Sequence, residues 1–333
     1  MQAPSVTDIV DLPDVWQRML GVEERLFEAS ASEDPFLTEI TQHLLKAGGK
    51  RFRPLLTQIS AELGTPADRR PIEAGVAVEL IHVGSLYHDD VIDEADARRG
   101  SSSVNANWDN TIAILAGDYL MARASEVAAT YLGQESVRLL AATYAELVEG
   151  QTLELRLDFD TTHGPDPYFK VIGGKTASLI RTSARLGAIA ADCPDHAIEA
   201  VSTWAWELGI VFQIADDALD LVASDEYLGK PAGSDIGEGK FTLPVLLALA
   251  GDDGDRVREL LDGPRPYGRE TIDEVIALCR KGGYVADSLD EASRRLTVAS
   301  DAIATVGSPA TRDVLARMGD FLIDQVEYAR SGA

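Results

Sequence analysis

Cysteine is scarce. Cys193 and Cys279 lie far apart with no metal-ligand spacing around them, which argues against a disulfide framework or a zinc site and leaves both thiols as core fillers. Basic residues are also few: 30 Lys and Arg face 55 Asp and Glu, a formal charge of −25 whose field repels nucleic acid and anionic membrane surfaces. No segment approaches the roughly 18 unbroken apolar residues of a membrane span, and the opening "MQAPSVTDIVDLP" lacks the basic-then-apolar order of a secretory signal. The expectation is a soluble, cytoplasmic protein that binds no nucleic acid. There is no low-complexity tract and no dividing linker. Two apparent phosphate-binding P-loops fail: "GGKR" needs glycine at position 44 and has Leu44, and "GGKT" needs it at 169 and has Phe169. No persuasive Ser/His/Asp or Cys/His arrangement occurs.

What is present is apolar residues at helical spacing. Hydrophobic residues make up 45% of the 333, enough for a sizeable core. Val15, Met19, Val22 and Leu26 follow the helical period, as do Val285, Leu289, Ala292, Leu296, Ala299 and Ile303, and then Leu315, Met318 and Leu322. Breakers at 64–71, 162–167, 263–268 and 306–309 have loop lengths suited to a compact helical domain. Only "LELRLDFD" (153–160) alternates like a strand, and with no second strand to pair it reads as a helix running out into a loop. The spacing predicts an all-α chain, one domain over 1–333.

Within it, the apolar segment 76–93 ends in Asp89, Asp90 and Asp93. At a helix C-terminus the macrodipole disfavours anions, and Asp89 and Asp93, one turn apart, repel by about 0.2–0.5 kcal/mol. Cations must compensate. One DDxxD alone would read as a solvated helix end, but residues 207–222 repeat the design with Asp216, Asp217 and Asp220. Two such helix ends facing each other would hold hard divalent cations, which favour carboxylate oxygens together with substrate phosphates. Paired glycosidase carboxylates would need fewer acids.

Against the acidic background, "LLKAGGKRFRP" (44–54) concentrates Lys46, Lys50, Arg51 and Arg53, and Arg98 and Arg99 follow the first motif. Gly48 and Gly49 let backbone approach an anion, Lys supplies a point charge, and Arg a bidentate fork for phosphate. Gln213, set among apolar neighbours, needs a hydrogen-bond partner.

"GGKRFRP", "LIHVGSLYHDDVIDEADARRG", "ILAGDYL", "GGKTASLI", "VFQIADDALD" and "LGKPAGSDIGEGKFTLP" together resemble, in order over about 44–245, the trans-type isoprenyl diphosphate synthases. The resemblance implies an all-α, isoprenoid-synthase-like helical bundle around a deep central cavity, with flanking helices at both ends, assembled as a homodimer. It implies that Asp89, Asp90, Asp93, Asp216, Asp217 and Asp220 hold Mg²⁺, roughly three ions per site with Mn²⁺ able to substitute. It further implies that Arg98, Lys175, Lys230 and Lys240 grip an allylic diphosphate, that Lys50, Arg53, His82 and Arg99 bind isopentenyl diphosphate, and that Thr176 and Gln213 lie near the reacting atoms.

In such enzymes the residues upstream of the first aspartate line the product tunnel. Here these are Ala77, Leu80, Ile81, Gly84 and Ser85, with Ser125 on a neighbouring helix, and no aromatic plug stands among them. An open tunnel and a product of about C30–C50, solvated by an apolar interior, are therefore expected. The alternatives are a C15 or C20 synthase, a terpene cyclase, and the non-catalytic subunit of a heteromeric synthase. Membrane involvement would be limited to peripheral contact during product release. Asp252 and Asp253 read as turn residues, Trp204 and Trp206 as core or interface, and Asp158 and Asp160 as solvated.

Overall fold

A computed structural model describes residues 6–229 and 231–330; Lys230 and both chain ends lie outside the described residues. The long helices are α1 (Pro13–Ser30), α2 (Phe52–Ala61), α3 (Arg70–Ile92), α4 (Asn110–Val127), α5 (Gln134–Leu157), α6 (Ser178–Ala190), α7 (Asp195–Val222), α8 (Arg269–Lys281), α9 (Tyr284–Ile303) and α10 (Pro309–Arg330). The all-α expectation holds. Among the described residues the only sheet is a hairpin of two-residue strands, with Ala97 opposite Ser102. Its turn, Arg99 and Gly100, has φ of 55° and 75°, the left-handed pair that a tight hairpin requires.

Sequence explains the placement of the central helices. α3 starts with Pro71 in its first turn and is buried at nearly every position from Pro71 to Ser85, so it runs through the interior rather than along a surface. α7, 28 residues long, buries Val201, Trp204, Leu208, Val211 and Ile214. One apolar cluster gathers around α7, α9 and α10, and a second around α1, α3 and α4. Both long helices end in aspartates, so burying their apolar lengths delivers the acids to the ends.

"LELRLDFD" is helical through Leu157 and then leaves the helix at Asp158. Its alternation does not mark a sheet face: Leu153 and Leu157 are half-buried, while Leu155 is 48% exposed. Cys193 and Cys279 are buried and free, Trp204 is core, and Trp206 lies under the Arg181 guanidinium at 5.2 Å. Among the described residues no helix is long and apolar enough to cross a membrane.

Candidate active site

α3 presents Asp89 and Asp90 on its last turn, with Asp93 as its C-cap. The cations that its dipole demands are there. Arg98, carried back by the hairpin, donates to Asp90 Oδ1, and Lys240 Nζ lies 3.2 Å from Asp93 Oδ1. Burial raises the Asp89 and Asp90 carboxyls, opposed by Lys175 at Asp89 and by Arg98 at Asp90. Asp90 Oδ2 is buried with no hydrogen-bond partner.

α7 supplies the second set. Asp217 is buried and accepts from the Tyr168 hydroxyl at 2.6 Å and from Gln213 Nε2 at 2.8 Å, while Gln213 Oε1 accepts from Thr176 Oγ1 at 2.9 Å. The partner that Gln213 needed is therefore a pair of residues this close to the acids. Burial, together with the Asp235 charge, pushes the Asp217 carboxyl well up. Asp220 Oδ2 accepts the Asp235 backbone N–H at 3.3 Å, and Asp216 is exposed.

Beside these acids lies a cavity of about 210 Å³ lined by Glu154, Lys175, Asp216, Asp217, Asp235 and Lys240 among others. Lys175 and Thr176 ride on a π-helical turn, Gly173–Ala177, a local widening of the helix that often marks a functional position. The Lys175 amine is taken by Glu154. Lys240 thus borders the cavity and reaches the first motif, joining the two acidic helix ends at one mouth. Among the described residues no three His, Cys, Asp or Glu side chains already converge as a metal-ligand set. Several acids are instead engaged with internal donors, Asp90 with Arg98, Asp93 with Lys240, and Asp217 with Tyr168 and Gln213. The oxygen-only donor set and the unpartnered Asp90 Oδ2 nevertheless fit a hard divalent cation that shares its coordination with phosphate.

The second basic cluster sits along α3. Lys50 is exposed, Arg53 and His82 are half-buried, and Arg99 donates to the carbonyls of Leu44, at 3.2 Å, and Gly48. Burial and the neighbouring Arg99 push the Arg53 guanidinium down to about 10, against the pull of Glu79. Burial, then Arg53 and Arg99, hold the His82 imidazole well below its ordinary value. Lys230, expected beside the allylic diphosphate, lies outside the described residues.

The residues expected to form the tunnel wall differ in burial. Ala77, Leu80, Ile81, Gly84 and Ser85 are buried. Ser125 is exposed, bonding Met121 O at 3.1 Å one turn back on the outer face of α4. At Gly84 a Cβ would meet Gly117 O and the Met121 Cε methyl, each at 3.1 Å, because α3 and α4 pack there glycine to glycine. The side chain at this level is thus Met121. Asp158, expected to be solvated, lines the cavity half-buried, and burial raises its carboxyl. Sequence reading also passed over Tyr168, Asp235, Glu154 and Glu79. Asp235 alone carried a signal, standing inside the "GSDIGEGK" stretch.

Residues 34–279 match the polyprenyl synthetase family model. The chain belongs to that family. It is therefore a prenyltransferase, as its sequence led one to expect. It is 39% identical over 307 residues to nonaprenyl diphosphate synthase of Mycobacterium tuberculosis, covering 91% of each chain. Over 232 residues it is 42% identical to heptaprenyl diphosphate synthase component 2 of Geobacillus stearothermophilus, covering 70% of this synthase and 72% of that protein. The crystal structure of a polyprenyl synthase from Caulobacter crescentus, complexed with calcium and isoprenyl diphosphate, superimposes with a TM-score of 0.89 at 32% identity, over 97% of this chain and 99% of that one.

Proposed function

We propose that this synthase joins isopentenyl diphosphate head-to-tail to an allylic prenyl diphosphate, releasing diphosphate and a longer trans-polyprenyl diphosphate. The observation that carries this reading is the pairing of two anion sites. One is acidic and cationic at once, with the six aspartates beside Arg98, Lys175 and Lys240. The other, around Arg53, His82 and Arg99, is basic and adjoins the first through the neighbouring residues Arg98 and Arg99. A cyclase has one diphosphate to bind, whereas this chain offers places for two.

Asp89, Asp90, Asp93, Asp216, Asp217 and Asp220 would hold the divalent metal, which we take to be Mg²⁺ by its preference for carboxylate and phosphate oxygens. When bound, it supplies Lewis-acid neutralisation of the leaving diphosphate. Lys175 and Lys240 exchange Glu154 and Asp93 for the allylic diphosphate, and Arg98 exchanges Asp90, so charge developing on the leaving group meets fixed cations. Thr176 and Gln213, tied to each other and to Asp217, orient the acid wall. Arg53 and Arg99 hold isopentenyl diphosphate so that its double bond attacks the allylic cation, and the released diphosphate accepts the proton. The apolar interior keeps water from the cation.

A long-chain product, about C30–C50, is supported by the nonaprenyl relative and by the absence of an aromatic plug at Gly84. A homodimer is supported by exposed apolar side chains on two helices, Ile114 and Leu115 on α4 and Val148 and Leu155 on α5. Two free thiols are in keeping with a reducing cytoplasm.

The purified protein is to be incubated with Mg²⁺, labelled isopentenyl diphosphate and, separately, C10, C15 and C20 allylic diphosphates, and the dephosphorylated products resolved by length. A ladder ending above C30 is expected. Products stopping at C15 or C20 would overturn the chain length but leave the reaction standing, and no incorporation with any starter would overturn the reaction.

A further inference from the structure

We propose that Glu79 is the positioning residue of the isopentenyl diphosphate pocket, a buried carboxylate that works through Arg51 to keep Lys50, Arg53 and Arg99 in one place. The proposal rests on the reading above, in which those residues receive isopentenyl diphosphate.

Glu79 lies in the middle of α3 at 1% exposure, where an unpaired carboxylate would be costly. Arg51 Nη1 donates to its Oε1 at 3.4 Å. The same guanidinium forks onto Glu23 with two contacts of 2.9 Å and reaches Leu45 O at 3.1 Å. Arg51 does this from the left-handed region, φ 46° and ψ 36°, a conformation that persists in a side-chain-bearing residue only when its surroundings enforce it. The turn brings the Arg51 guanidinium inward to Glu79 and Glu23, while Lys50 stays exposed and Arg53 half-buried.

Arg99 fills the other side of the same turn, donating to Leu44 O at 3.2 Å and to Gly48 O. Gly49 lies between the two guanidinium groups, where a Cβ would stand 2.7 Å from Arg99 Nη1 and 3.1 Å from Arg51 Nη1 and would push them aside. Three guanidinium groups are thus gathered around one interior acid. Burial raises the Glu79 carboxyl, and Arg51, Arg53 and Arg99 all oppose that rise, which places its charge opposite all three. Glu79 Oε2 and Arg53 Nε are both buried without hydrogen-bond partners, so charge rather than a direct bond links them. Neutralising Glu79 leaves three like charges around an amide. The turn then relaxes outward, and isopentenyl diphosphate has to reassemble it on binding.

The test uses the full chain with Mg²⁺, first establishing that the unaltered protein incorporates isopentenyl diphosphate; if it does not, the functional reading fails rather than this one. Glu79→Gln is expected to raise KM for isopentenyl diphosphate about tenfold while leaving KM for the allylic diphosphate within about twofold. Glu23→Gln, at the half-exposed outer end of the same fork, is expected to show the same selectivity with a rise of about threefold. Equal rises in both KM values would reveal a merely structural role and overturn the proposal. An unchanged or lowered KM for isopentenyl diphosphate would overturn it as well, making Glu79 an inert or competing anion. If Glu79→Gln does not fold, Glu23→Gln decides, with a nil or unselective effect as the overturning result.

Discussion

Lys240 reaches Asp93 Oδ1 at 3.2 Å although 147 positions separate them, and the same amine holds Glu238 at 2.8 Å. Burial works against the ammonium, yet Glu238 and Asp93 raise its pKa on balance. A half-exposed pair of this kind contributes at most about 1 kcal/mol to stability, so its importance lies in what it occupies. It neutralises an acid that a metal would use and a cation that a diphosphate would use.

Removing the amine should therefore separate those two functions. In Lys240→Ala, Mn²⁺ alone is expected to bind a few-fold more tightly, because Asp93 no longer has an internal competitor, while KM for the allylic diphosphate rises about tenfold. Calorimetric titration with Mn²⁺ and steady-state kinetics read the two effects. Weaker binding of both ligands would contradict the exchange of partners.

At Gly84 the α3–α4 contact makes a size series informative. A Cβ there already meets Gly117 O and Met121 Cε at 3.1 Å, one of them backbone that cannot turn aside. Gly84→Phe is expected to shorten the product sharply and to cost about 1–3 kcal/mol through overpacking. Met121→Ala, which removes the side chain standing at that level, is expected to lengthen the product. If the product ladder does not move in either variant, residues 84 and 121 do not border the growing chain.

Tyr168 offers a test on the opposite wall. Its hydroxyl donates at 2.6 Å to an Asp217 whose other oxygen accepts from Gln213. Tyr168→Phe leaves one buried carboxylate oxygen without that donor, a loss of about 1–3 kcal/mol of stability. With Asp217 held by Gln213 alone, kcat is expected to fall while KM for isopentenyl diphosphate, which we propose binds at the other cluster, changes little. Urea denaturation and a full kinetic matrix measure both, and an unaltered kcat would separate the hydrogen bond from function.

The aspartate motifs were legible because their evidence is local. Three acids at helical spacing after an apolar run announce both the helix and its anomalous end, and the second copy turns the anomaly into a pattern. The all-α fold was legible for the same reason, and even "LELRLDFD" yielded once no pairing strand was found. Tyr168 and Glu154 were not legible. Each acts on a residue distant in the chain, Asp217 and Lys175, and an isolated Tyr or Glu in a helix carries no mark of its partner. Glu79 was hidden differently: in "VAVELIH" it looks like one polar break in an apolar helix, and only burial on every side reveals that it needs a counter-ion. Met121 escaped because the position singled out on α4 was Ser125, one turn further along, and only the packing of α4 on α3 shows which side chain stands opposite Gly84.

His82 gives the last prediction, and its sign follows from which state holds the proton. Burial and the charges of Arg53 and Arg99 keep the folded imidazole neutral well below the ordinary histidine value. The unfolded chain protonates near pH ~6.5, so below that pH it binds a proton that the folded chain refuses. Stability should therefore fall with acidification, by about 1.4 kcal/mol per pH unit from this group, until the folded imidazole itself begins to protonate. In His82→Gln that contribution disappears, and unfolding free energies of the two proteins, matched in neutral solution, should diverge as pH drops below ~6.5. Isopentenyl diphosphate adds a second arm. An anion beside the ring favours its charged form, so saturation with this substrate in the absence of an allylic partner should flatten the acid loss of the unaltered protein and leave His82→Gln unaffected. Parallel curves for the two proteins would remove His82 from the pocket.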